Sequence, residues 1–131
     1  MDFLSNWTKT KGSSEQIFSR FENLDNLKKF MPEQVINWQA SQNECSFTIK
    51  GMGDITLEVI QRIPFKRITL VPKGKSPFEF NLMIHIRDNG LIAETQVQLA
   101  ADLNMMMAMI AKRPLQNLVE IIADKIAQET F

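Results

Sequence analysis

The sequence predicts an α+β fold: a curved antiparallel sheet of six to seven strands wrapped around a long C-terminal helix, with two short helices between the first and second strands. Three observations predict it. From Val35 to Leu103 apolar and polar residues alternate with a period of two, run after run. The links between those runs are short and rich in turn residues. After Leu103 the apolar period changes to that of a helix and holds to Gln128. A sheet with one apolar face needs one cover, and only the last segment is long enough to supply it.

Taken in order, Phe3 to Thr10 reads as a first strand of poor alternation. "KGSSEQIFSRF" opens a helix, with Ser13 as N-cap and Gln16 three residues on, the spacing of a capping box. Ile17, Phe18, Phe21 and Leu24 form its apolar stripe. Asp25 can cap a second short helix, "NLKKFM", which continues the stripe through Leu27, Phe30 and Met31. Pro32 ends it, because the residue before a proline is pushed out of the helical region.

The strands follow. Ile36, Trp38 and Ala40 share one parity, as do Cys45, Phe47 and Ile49, then Ile55, Leu57 and Val59, then Ile68 and Leu70. Phe78 to Ile86 and Ala93 to Ala101 complete the series. "SQNE", "GMGD", "PFK", "PKGKSP" and "DNG" join them, and Asn89-Gly90 is the strongest hairpin signal. Short links between consecutive strands make a meander, and a twisted sheet of this size curls until its apolar face is concave. The helix from about Asn104 to Gln128 then spans ~37 Å at ~1.5 Å per residue.

Composition narrows the functional classes. The chain has 131 residues, the length of one domain, with fifteen basic and fifteen acidic residues and zero net charge. No long-range field therefore advertises nucleic acid or an anionic membrane. A single cysteine excludes an internal disulfide, and His, Cys and acidic residues are too scattered for a metal site. The longest apolar run, "MMMAMIA", is far below the ~20 residues of a membrane span. No cofactor is called for, and the expected setting is the reducing cytoplasm.

With this order of elements the chain resembles the START-like, helix-grip superfamily, also called SRPBCC. That group includes pollen-allergen-like carriers, polyketide cyclases and aromatases, lipid-transfer domains and some chaperone co-factors. The resemblance covers essentially the whole chain and rests on "LDNLKKFMP" and on "ADLNMMMAMIAKRPLQNLVEIIADKIA" with its mid-helix proline. It implies a hydrophobic ligand held between the sheet and the long helix. The lining it implies comprises Leu24, Phe30, Trp38, Phe47, Leu57, Phe80, Leu82, Ile84, Thr95 and Val97, with Met106, Met107 and Ile110 from the helix.

Four of the eight methionines, Met105, Met106, Met107 and Met109, fall just ahead of Pro114. Methionine repacks cheaply around shapes of different size, which suits an adaptable wall. Pro114 removes a helical hydrogen bond and should bend the helix, leaving a tight Leu/Ile anchor and a looser Met gate. Ordinary core filling explains a Met cluster equally well, and large side chains can also fill the hollow.

Reactive constellations are scarce. His85, the one histidine, falls on the solvated face by parity, and Cys45 falls inward without a base on its face. Thr95 is the polar residue among the inward positions of the last strand; it can bond a ligand or a neighbouring backbone. General acid–base work needs a positioned titratable group, so catalysis is disfavoured. "RIPFKRITLVPKGK" carries five cations, but one strand of about five residues separates them into two groups roughly 17 Å apart. The leading expectation is a non-catalytic carrier or sensor of a small hydrophobic molecule such as a lipid, polyketide or quinone. A protein-interaction module using the Met-rich helix comes second, and a cyclase-like enzyme third.

Overall fold

A computed structural model describes all 131 residues. The chain runs β1 (Asp2–Leu4), β2 (Thr8–Lys9), α1 (Ser14–Phe21), a 3₁₀ helix (Leu24–Phe30), β3 (Val35–Ala40), β4 (Glu44–Ile49), β5 (Gly53–Ile63), β6 (Arg67–Pro72), β7 (Phe80–Asn89), β8 (Ile92–Ala101) and α2 (Met105–Gln128). One antiparallel sheet contains every strand, in the order β1-β8-β7-β6-β5-β4-β3, with β2 also on β8.

The eight strands exceed the six or seven expected because the first is broken. Phe3 pairs with Leu99 and Thr8 with Thr95, so the first segment carries one residue more than the stretch it faces. Ser5 absorbs the mismatch: its amide donates to the carbonyl of Val97, and its hydroxyl accepts from the Val97 amide, both at 2.9 Å. The poor alternation of Phe3 to Thr10 is the sequence trace of this bulge.

The connection between the first strands and β3 follows the predicted capping. Ser13 Oγ accepts from the Gln16 amide and Gln16 Oε1 from the Ser13 amide, a closed capping box. The second short helix is 3₁₀, and its cap is Asn23, whose side chain accepts from the Asp25 amide; Asp25 itself is the first-turn acid. Arg62 anchors the end of this region, donating to the carbonyls of Glu22 and Gln42 and to Asn43 Oδ1.

Turn chemistry sets the strand registers. The β7–β8 hairpin pairs Asn89 with Ile92, so its two loop residues are Gly90 and Leu91, with Gly90 at φ 78°. Glycine at the first loop position with positive φ is the II′ pattern, and the side chain of Leu91 is left in solvent. Between β5 and β6 the loop places Phe65, not a glycine, at φ 63°. Its ring meets Phe18 edge-on at 5.8 Å, a packing contact that helps hold the unfavourable backbone.

On β7 and β8 period-two alternation maps directly onto burial, whereas on β3 a register shift after Ile36 leaves Val35, and not the expected Ile36, packed against the core. Leu82, Ile84, Ile86, Ala93, Thr95, Val97, Leu99 and Ala101 all face inward from β7 and β8. All of these but Thr95 join Ile17, Phe21, Leu24, Leu27 and Phe30 from the short helices and Leu115, Val119, Ile122, Ala123 and Ile126 from α2 in one apolar cluster of 26 buried residues. At the far end of α2, Glu129 Oε2 receives Arg20 Nη1 at 2.6 Å and Lys29 Nζ at 2.5 Å. Phe131 stacks on Phe30, and the Arg20 guanidinium lies over the Phe131 ring, 5.0 Å from its centre. This clasp ties the helix end to α1 and the 3₁₀ helix.

Candidate functional site

The concave face is packed at one end and hollow at the other. A cavity of about 480 Å³ lies between β3–β5, the starts of β7 and the ends of β8, the 3₁₀ helix and the middle of α2. Its walls are apolar. Trp38 and Phe47 stack with centroids 5.3 Å apart and planes 13° from parallel, and Phe78 and Phe80 form a tilted pair at 5.4 Å. Leu57, Leu82 and Leu99 floor it from the sheet; Leu115, Leu118 and Ile122 roof it from α2. The polar residues on its boundary, Gln34, Lys50 and Asn117, are all solvent-exposed, so they mark the mouth.

Five of the thirteen anticipated lining residues meet there: Trp38, Phe47, Leu57, Phe80 and Leu82. Leu24, Phe30, Ile84, Thr95 and Val97 point inward but lie in the solid part of the core, away from the cavity boundary. Parity alone separates inward from outward; it does not say which inward positions border empty space. The helical contribution shifts furthest. Met106 and Ile110 are exposed and Met107 is half-buried, and none of the three touches the cavity. The wall comes instead from Pro114, Leu115, Leu118, Ile121 and Ile122, one to three turns further on. The anticipated Met gate is thus replaced by an outward-facing Met stripe.

The reason is visible in α2. The helix is continuous through Pro114, with Asn104 as N-cap accepting from the Met107 amide at 2.8 Å. Its buried positions begin at Leu115. Of the half before Pro114, only Met107, Ala108 and Ala111 are even partly shielded. Leu118, Ile121 and Leu99 were recoverable, since each continues an inward period.

The reactive groups are quiet. Cys45 lies on the cavity boundary, and burial pushes its thiol up to about 12, outweighing a hydrogen bond from the backbone of Leu57 that favours the thiolate. It stays protonated and non-nucleophilic at neutral pH. Thr95 is fully buried, and its hydroxyl has no partner, neither a ligand-facing position nor a backbone carbonyl. His85 faces outward, with Nε2 and Gln98 Oε1 2.8 Å apart and Trp7 nearby. In the basic run, Arg62 donates to Asn43 Oδ1 in the β3–β4 turn, and Lys73, beyond β6, pairs with the next residue, Glu44, at 3.2 Å. No group of three or more His, Cys, Asp or Glu is arranged to hold a metal. No helix is long and apolar enough to cross a membrane.

This architecture is the START-like helix-grip fold. Solved structures that share it include a START superfamily protein from Mycobacterium smegmatis, 13% identical, with a TM-score of 0.68 and 95% of this chain and 97% of that one aligned. The protein XoxI from Bacillus cereus aligns with a TM-score of 0.77 at 10% identity, over 97% and 93% of the two chains. The Aha1 dimer from Colwellia psychrerythraea aligns at 0.61 and 16%, over 98% and 97%. No family model and no curated protein matches the sequence. The likeness is one of fold, carried by element order with little shared sequence.

Proposed function

We propose that the chain binds a small hydrophobic molecule non-catalytically, as a carrier or sensor, in the cavity beneath α2. One observation carries this reading: a hollow of about 480 Å³ whose walls are aliphatic and aromatic and whose polar residues stand only at the mouth. That volume lies within the ~300–1,000 Å³ of small-molecule sites. A ligand burying ~400 Å² of apolar surface gains about 10 kcal/mol at ~25 cal/mol per Å². Losing at least ~4 kcal/mol to restricted motion leaves at most about 6 kcal/mol, an affinity of roughly tens of micromolar or weaker.

The two aromatic pairs favour a molecule with a flat segment, such as a polyketide or a quinone, over a purely flexible chain. Trp38 adds a polar preference. Its Nε1–H is buried without a partner in the protein, so an occupant with an acceptor oxygen beside it recovers part of that cost. The unpaired, protonated Cys45 fits a cytoplasmic setting. Differential scanning fluorimetry against fatty acids, sterols, quinones and aromatic polyketides tests the reading: at least one class raises Tm in proportion to the logarithm of its concentration. Uniform indifference to all four overturns it.

The outward Met stripe favours a second reading, a regulatory or docking module, because Met105 and Met109 are each 83% exposed. The two readings use different faces of α2 and coexist in one molecule.

A further inference from the structure

The first half of α2 presents Met105, Met106, Met109 and Ile110 to solvent, between 73 and 83% exposed. At ~100° per residue these four fall within a ~140° arc, and Arg113 falls inside the same arc. Lys112 lies just beyond its edge. No acidic residue occurs between Asp102 and Glu120. Pro114, at the end of this stripe, borders the cavity, and so does the β4–β5 hairpin tip Lys50-Gly51-Met52, which adds one more exposed thioether and one more cation. An apolar arc with cations in and beside it, and with no acid, is the composition of a helix that lies in a lipid interface.

We propose that this face docks on an anionic phospholipid bilayer, with the methionines at the headgroup–acyl boundary and Arg113 and Lys112 against phosphate. Charge decides between the occupants. A second copy presenting the same face offers no acid on this stretch to answer Lys112 and Arg113, whereas an anionic membrane neutralises every cation there. Docking in this orientation brings the cavity mouth to the lipid surface, and it is independent of what the cavity holds.

Vesicle flotation of the full chain tests the proposal. The protein partitions onto vesicles of equal phosphatidylcholine and phosphatidylglycerol and far less onto phosphatidylcholine alone. Near the surface each cation is worth about fivefold, so K112Q/R113Q lowers the partition coefficient about 25-fold. M105Q/M109Q lowers it at least tenfold. Raising salt from about 0.1 to about 1 M, which shrinks the screening length from ~10 to ~3 Å, releases the protein. These side chains are exposed, so an unchanged Tm confirms that both variants fold. Equal partition onto neutral vesicles, indifference to K112Q/R113Q, or absence of binding while sedimentation shows self-association lost in M105Q/M109Q would each overturn it. Leu118→Trp, which fills the cavity, leaves flotation unchanged; the membrane and ligand readings therefore fail separately.

Discussion

Thr95 shows how much one side chain can hold in reserve. It occupies an inward position on β8, fully buried, with a hydroxyl that finds no acceptor. A buried unpaired hydroxyl costs ~1–3 kcal/mol. Replacing it with an isosteric methyl removes that cost without opening a void, so Thr95→Val raises stability by about 1 kcal/mol in urea unfolding. Ligand affinity is unaffected, because Thr95 does not border the cavity. The residue is polar among apolar neighbours, which made it a candidate site residue from sequence; parity placed it inward, and only coordinates show that it faces packed atoms.

At the scale of elements, α2 is two helices in one. From Leu115 onward it buries Val119, Ile122, Ala123 and Ile126, and before Pro114 it buries nothing completely. Truncating Ile126 to alanine leaves a cavity in dense packing and costs ~2–5 kcal/mol. Met109→Gln, on the exposed half, changes stability by less than ~0.5 kcal/mol. Chemical denaturation of the two variants measures the contrast. The boundaries of α2, the capping box at Ser13 and the six runs from Val35 to Ala101 were legible because each rests on local chemistry: a cap, a proline, a period. The break after Leu4 was not, because it depends on register against β8, a partner some ninety residues away. Nor was the orientation of the Met stripe: helical spacing shows that one arc is apolar, and not whether another element lies over it.

Across the whole molecule, the fold closes through the clasp of Arg20, Lys29, Glu129 and Phe131. The hydrogen bond from Lys29, opposed by burial and reinforced by the weaker one from Arg20, holds the Glu129 carboxyl below the usual carboxylate range. A lowered folded-state value means that stability is present above the ordinary glutamate range and is lost as pH falls through the folded one. Glu129→Gln therefore lowers Tm near neutrality by the equivalent of at most ~1 kcal/mol, since the cations are partly exposed. The difference from wild type closes on acidification. Helix-grip architecture was legible in element order alone, while the cavity's position was not. Where the inward strand and helix positions leave space depends on the summed volumes of residues far apart in sequence; here large aliphatics fill the β7–β8 centre, and the β3–β5 side stays hollow.

The hollow's occupancy is most directly measured by native mass spectrometry of the purified chain beside Leu118→Trp, each exposed to the same total lipid extract. Leu118 is half-buried on the cavity roof, so the larger ring enters the void and does not force the core apart. Wild type should carry one small apolar adduct per chain, released by organic solvent, and the variant should fly bare at undiminished Tm. An identical adduct on both proteins, or none on either, would contradict a ligand-binding cavity beneath α2.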